Sequence, residues 1–290
     1  MPIMKVWILL PAFNEVKALP LLIPKISHHF DTVRQAFRIV VVNDGSFDGT
    51  AECLEELKTN FPIDVIEHKI NRGLGETERD GFEYVAEHAS ENDILVRLDC
   101  DNTHEPEFIQ SMIDKIHEGY DVVTASRFQP GGGQRGVSFY RAFVSYSANV
   151  FMKILFNIPG IKDYSCGYRA YRVGVIQDAI HIYGNSFIQL RGLGFTSTLE
   201  TIVKLKLLGC LFKEIPFTLY YDQKTSGSKM TTSITALGYF MMAFLYHWPF
   251  GGWRRFYSKL PRVYAQSPDT AYIQYARRFS KPTLMTRFGG

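Results

Sequence analysis

Cysteine is scarce in this chain: Cys53, Cys100, Cys166 and Cys210 lie scattered over 290 residues without CxxC spacing. That excludes a zinc ribbon and a disulfide framework, and it fits a reducing compartment. Long apolar runs are missing too. The most apolar stretch, Ile234 to Phe250 (ITALGYFMMAFLYHWPF), is short for a bilayer-spanning helix and carries Gly238, His247 and Pro249. The opening MPIMKVWILLPAFNE has one lysine, a short apolar run and no small-residue cleavage site, so it reads as a first strand and secretion is not expected. Neither a full GxGxxG nor a Walker loop with its lysine occurs. The nearest stretch, NRGLGETERDG, reads as a turn before a helix. With no zinc finger and no RNP-like aromatic motif, nucleic acid is not expected as a partner.

What is present is the composition of a globular protein. Lys and Arg number 32 against 29 Asp and Glu, a formal net charge of +3, and the length favours one large domain over two. The charge is unevenly placed. From Gly251 onward Arg254, Arg255, Lys259, Arg262, Arg277, Arg278, Lys281 and Arg287 face the single acid Asp269. A basic tail after an aromatic, apolar segment points to an anionic surface, and the run WRRFYSK suits a helix lying in a membrane interface, with Trp253 and Tyr257 as interfacial rings. On that reading the tail is dispensable for the fold. The alternative is a core helix followed by a solvated tail.

The first half alternates β-branched runs (KVWILLPAF, FRIVVVNDG, IDVIEHK, DILVRLD, YDVVTASRF) with helical stretches near 16–30, 50–60, 75–89 and 106–118. This predicts an α/β domain with a mostly parallel sheet flanked by helices, over residues 1–230, with 231–290 as apolar helix and basic tail. In such sheets ligands sit beyond the carboxyl ends of the strands. The residues found there are Asn14 and Glu15, Asn43 and Asp44, Asp99 and Asp101, and Ser126 and Arg127. Acidic strand ends converging on one rim repel unless a cation stands between them, which predicts Mg2+ or Mn2+ on oxygen ligands. After Arg127, QPGGGQRG reads as a flexible loop and VSFYRAFVSYSANVFMKILF as a helix with a broad apolar face.

The ordered set LLPAFNE, VVVNDGSFDGT, RLDCDNTHEP, SRF, DYSCGYRAYR and SGSKM, between about Lys5 and Met230, resembles the dolichol-phosphate mannosyltransferase branch of the family 2 glycosyltransferases. The resemblance implies a GT-A-like domain that moves a hexose from a nucleoside diphosphate sugar, of the GDP-mannose or UDP-glucose type, to a polyprenyl phosphate. Together with the aromatic segment and basic tail, on which this expectation chiefly rests, that predicts a peripheral enzyme at the cytoplasmic face of a membrane surface. By position in the motifs, Pro11, Phe13, Glu15, Val42 and Asp44 fall where that family holds the nucleotide. Asp99, Cys100 and Asp101 form its DxD segment, with Asp101 as main metal ligand, Asp99 sharing the metal or ribose, and Thr103 at a further ligand position. Arg127 matches the arginine that meets the reacting phosphates. Arg141 and Ser145 fall where the lipid phosphate is gripped, and Lys229 matches the lysine that neutralises the diphosphate. Asn43 for an aspartate, Phe13 for a tyrosine, Glu76 for a small residue, Cys100 for alanine and Thr103 for glutamine depart from the pattern, so mannose and guanine do not follow. Glu200 and Asp163 are read either as acceptor-site acids or as a solvated helix residue and a turn cap.

Nucleotidyltransfer needs the same metal and nucleotide, but its glycine-rich arginine-lysine loop is absent. Processive polysaccharide synthases carry a QxxRW motif, whereas Gln189 to Gly192 reads QLRG. A glycosyltransferase with another acceptor, and a catalytically silent nucleotide-sugar-binding scaffold, remain as alternatives.

Overall fold

The computed structural model describes residues 4–224 and 232–276. The five apolar runs become strands β1 (Val6–Ala12), β2 (Phe37–Asn43), β3 (Ile63–Glu67), β4 (Ile94–Arg97) and β5 (Val122–Ser126). Between them lie α1 (Leu19–Val33), α2 (Thr50–Lys58), α3 (Leu74–His88) and α4 (Phe108–His117). The chain continues with β6 (Gly133–Arg135), α5 (Phe139–Phe156), β7 (Arg169–Arg172), α6 (Val173–Tyr183), α7 (Thr196–Leu208), β8 (Phe212–Pro216) and β9 (Thr218–Tyr220). It closes with α8 (Thr232–His247), α9 (Gly252–Phe256), α10 (Leu260–Gln266) and α11 (Pro268–Tyr275).

Seven strands form one sheet in the order β3-β2-β1-β4-β7-β5-β8, and β6 pairs with β9 separately. All neighbours in the large sheet run parallel except β7, which is antiparallel to both β4 and β5. The hydrophobic pattern does not announce β7, because its sequence is RAYR and its first arginine is fully buried. Arg169 donates to Thr124 Oγ1 at 3.3 Å, to the Tyr164 carbonyl at 2.8 Å and to the Thr198 carbonyl, so its polarity is satisfied inside the protein.

One sheet face is covered by α1, α2 and α4 through Leu22, Ile26, Leu54, Met112 and Ile116. The other is covered by α3, α6 and α7, and the same apolar cluster takes in Met242 and Tyr246 of α8, Tyr257, Leu260 of α10 and Ala271 of α11. Helix α8 therefore has two characters. Met242 and Tyr246 pack inward, while Ile234, Leu237, Met241 and Phe244 recur at helical spacing on its exposed side. α5 has the same inverted face: Phe139, Phe143, Tyr146, Val150 and Ile154 form an exposed stripe, and Met152 and Phe156 point inward. The two stripes meet where Phe151 and Phe240 stand 5.7 Å apart, edge to face. Among the described residues no helix is long and apolar enough to cross a membrane.

The expectation that residues after Gly252 are dispensable does not match this packing. Lys204 on α7 is fully buried, and its ammonium lies 3.6 Å from the Trp253 ring centroid, with the Tyr183 and Tyr257 rings at 5.3 and 5.5 Å. Burial pulls its pKa down to about 8, and the aromatic faces replace part of the lost hydration. Leu260→Ala is expected to cost about 2–5 kcal/mol, because it empties a fully buried site. Removal of everything after Gly252 is expected to abolish the cooperative urea transition. A truncated chain with the wild-type midpoint would contradict this packing.

Candidate active site

β4 ends at Arg97, Leu98 still donates to the Leu9 carbonyl at 3.2 Å, and Asp99 and Asp101 follow just beyond the sheet. The Arg97 guanidinium is buried between Glu78 of α3, at 2.8 Å, and Asp99 Oδ1, at 2.5 Å. Burial would raise the Asp99 carboxyl, yet the charge and hydrogen bond of Arg97, with His104 and Lys224, together outweigh it and hold the pKa at about 2. Position 167 must be glycine for this to fit, since a Cβ there would lie 1.9 Å from Arg97 Nη1. Asp101 is ion-paired through Oδ2 with Lys224 and accepts the Thr103 hydroxyl on Oδ1 at 2.6 Å. Thr103 is itself buried, so it orients Asp101. Cys100 is buried in the apolar cluster on the α4 side of the sheet.

Pro11 and Val42 are register partners on β1 and β2, at the strand ends where the nucleotide was expected. Beyond them Phe13 stands edge-on to Phe47 at 5.9 Å, and the Glu15 amide donates to Thr50 Oγ1 at 2.9 Å. Asp44 is buried and already engaged. It accepts from the Arg72 and Gly73 amides at 2.9 and 2.8 Å and meets His68 Nδ1 at 2.7 Å, while His68 Nε2 lies 2.9 Å from Asp80. Asp44 thus holds the loop that starts α3, which walls this end of the strands. Asn43 donates to Glu67 Oε2 at 2.8 Å and pins β2 to β3. Gly45 at φ +68° passes the Ile70 carbonyl carbon so closely that a Cβ would sit 2.4 Å from it, which fixes glycine in this turn.

Arg127 follows β5 and is clamped by Asp163, with Nε and Nη2 each 2.8 Å from a carboxylate oxygen. Nη2 also donates to Ser165 Oγ at 2.8 Å. Burial would raise the fully buried Asp163 carboxyl, but the Arg127 guanidinium outweighs it and keeps it below the ordinary carboxylate range. Asp163 is therefore a positioning group for Arg127 as well as a cap for the Cys166 amide at 3.1 Å. Asn149 of α5 joins the same loop, accepting from the Tyr164 amide at 2.6 Å and donating to Ser165 Oγ at 3.0 Å. Two turns earlier on that helix, Arg141 is exposed and donates to the Tyr221 hydroxyl at 2.8 Å. Ser145, one turn after Arg141, is half-buried. The Tyr221 ring lies 5.7 Å from both Arg141 Cζ and Lys224 Nζ, so the acidic rim and the start of α5 share one aromatic bridge.

Lys229 lies outside the described residues, and the cation found on Asp101 is Lys224, from the same polar segment. Glu200 is neither solvated nor offered to an acceptor. It is fully buried, and its Oε2 accepts the Leu190 amide at 2.9 Å. Sequence reading passed over Arg97, Lys224, Tyr221, Asn149 and Ser165. Only Arg97 had a legible signal, two residues before Asp99 and so on the same side of an extended chain.

The rim gathers carboxylate and hydroxyl oxygens, the donors that Mg2+ and Mn2+ prefer. Among the described residues no group of three or more His, Cys, Asp and Glu is arranged to hold a metal. Asp99 and Asp101 fit the other common arrangement, in which one or two carboxylates hold a cation whose remaining ligands are water and substrate phosphate. With Arg127, Lys224 and Arg141 close by, the site has the charges needed for a multiply anionic substrate.

Residues 7–179 match the family model described as glycosyl transferase family 2. The chain is 33% identical over 178 residues to polyprenol monophosphomannose synthase of Mycolicibacterium smegmatis, covering 61% of this chain and 64% of that protein. It is 32% identical over 216 residues to dolichol-phosphate mannosyltransferase of Pyrococcus furiosus, covering 74% of this chain and 56% of that one. It therefore spans under two thirds of the length of both relatives. Among solved structures it shares a fold with glucosyl-3-phosphoglycerate synthase from Mycobacterium tuberculosis in complex with Mn2+, UDP and glucosyl-3-phosphoglycerate. The TM-score is 0.56 at 17% identity, over 84% of this chain and 79% of that one. With the matched model covering more than half its length, the chain belongs to glycosyl transferase family 2.

Proposed function

We propose that this enzyme transfers a hexose, mannose or glucose, from a nucleoside diphosphate sugar to a polyprenyl phosphate of the dolichyl type, with inversion, while peripheral at the cytoplasmic face of a membrane. The observation that carries the reading is α5. Its first turn presents Arg141 beside the acidic rim, and its outward side is a continuous apolar stripe. A substrate that pairs a phosphate with a long apolar chain suits that helix, and large exposed apolar surfaces of this kind mark contact with another phase or partner. The names of the two relatives support the same acceptor class.

The donor's nucleoside lies over the ends of β1 and β2, against Pro11, Phe13, Glu15, Val42 and the loop held by Asp44. Asp101, with Asp99 beside it and Thr103 behind it, would hold Mg2+ or Mn2+, which supplies Lewis-acid charge to the departing diphosphate. Lys224 neutralises Asp101 and adds a second positive charge at the same rim; Lys229 is a further candidate for the diphosphate. Arg127, pre-oriented by Asp163 and Ser165, meets the reacting phosphates at no further ordering cost. The acceptor phosphate is anionic at neutral pH, so no strong general base is needed. Arg141 and Ser145 align its oxygen for in-line attack on the anomeric carbon.

Three outcomes are expected. Offered a panel of nucleotide sugars with a polyprenyl phosphate, the enzyme should yield a polyprenyl monophosphate hexose by mass analysis; sugar release to water alone, or no product, would refute the acceptor. Arg141→Ala should raise KM for the lipid phosphate about ten-fold or more while leaving KM for the donor near wild type, since a charge-assisted contact to one substrate is lost. Equal effects on both would contradict that division. Asp163→Asn should cost about 3–5 kcal/mol at neutral pH by leaving Arg127 buried and unpaired. Because the Asp163 pKa is depressed, its contribution is present above the ordinary carboxyl range and fades as pH falls below about 4. The gap between variant and wild type should therefore narrow on acidification, and a gap that stays constant would rule out this role.

A further inference from the structure

A pocket at the far end of the exposed aromatic face has no part in the transfer reaction. Where α8 gives way to α9, His247, Gly251, Arg254, Arg255 and Ser258 line an open cavity of about 310 Å³. Among the described residues neither arginine has an acidic partner. Arg255 Nη1 reaches only the Phe250 carbonyl at 3.5 Å, the His247 ring donates to the Leu155 carbonyl at 3.0 Å, and Ser258 Oγ donates to the Arg255 carbonyl at 2.8 Å. Two uncompensated guanidinium groups around a cavity make an anion site. The rings beside it, Trp248 at 62% and Phe250 at 87% exposed, are of the kind that settles at the level of lipid headgroups.

The His247–Leu155 bond ties this corner to the end of α5, whose start carries Arg141. The 14 residues from Arg141 to Leu155 span about 21 Å of helix, and the exposed stripe runs between them. A bilayer lying on that stripe would place phosphates at both ends. We propose that the cavity binds the phosphodiester headgroup of a resident anionic phospholipid, a second phosphate site distinct from that of the acceptor, and so fixes the tilt of the α5–α8 face on the membrane. The inference rests on the membrane-facing reading of α5 and α8, but it does not depend on which acceptor is used.

The test is sedimentation of the full chain with vesicles of phosphatidylcholine alone or with about a third phosphatidylglycerol, without donor or acceptor. Wild type should favour the anionic vesicles. Arg254→Ala/Arg255→Ala should weaken that binding about 25-fold, about five-fold for each arginine, with an unchanged melting temperature. A control with equal charge loss on α2 and α4, Lys58→Ala/Lys115→Ala, should bind as wild type does. Equal weakening in both double variants would reduce the effect to diffuse charge and overturn the site. Unchanged binding in the arginine variant would overturn it while sparing the membrane-facing reading, whereas a wild type that ignores both vesicles would overturn both. If soluble glycerol phosphate raises the melting temperature through the two arginines but vesicle binding is indifferent to lipid charge, the ligand is a free phosphate ester and the lipid assignment fails. It also fails if substituting both arginines dissociates a dimer on size exclusion, which would make a second copy the occupant.

Discussion

Carboxylates crowd the carboxyl edge of the sheet, and the arrangement around the site follows from how each is compensated. Asp99 is held by Arg97, Asp101 by Lys224, and Asp44 by two backbone amides and His68. Without those partners, like charges this close would raise one another's pKa and loosen the loops they end. With them, the rim is a rigid set of oxygens matched by cations. The compensation reaches into the core as well, since Arg97 is buried against Glu78 and demands glycine at 167.

The second half of the site depends on α5. Asn149 and Ser165 join this helix to the loop that clamps Arg127, and Tyr221 joins its first turn to Lys224. Donor-side and acceptor-side arginines are thus parts of one hydrogen-bonded frame. That frame carries an apolar surface on its outside. On the proposed transfer from a water-soluble donor to a lipid-borne phosphate, the charged groups sit at one end of the helix that would meet the apolar phase.

The parallel half of the fold was legible because β1 to β5 are apolar runs that alternate with amphipathic helices, and the rim acids follow as the polar residues that end them. β7 was not, because a four-residue strand with a buried arginine has no periodicity to read. α5 and α8 were legible as helices but not in orientation, since an apolar stripe reads the same whether it faces a core or a membrane. The motifs placed Asp99, Asp101, Arg127 and Arg141 at one site. Lys224 escaped because an isolated lysine in a polar segment has no pattern until the chain folds it onto Asp101, and Lys204 escaped because a lysine on α7 reads as solvated until Trp253 covers it.

On the proposed function, the acidic rim receives a nucleoside diphosphate as its divalent metal complex. Calorimetric titration of GDP and UDP into the protein, with Mg2+ or Mn2+ and then with excess chelator, tests it most directly. The account predicts binding in the presence of the cation that weakens at least about ten-fold in chelator, the expected scale for losing a charge-assisted contact, and Asp101→Asn should erase the difference. Equal affinity with and without the cation, or a cation dependence that survives Asp101→Asn, would contradict it.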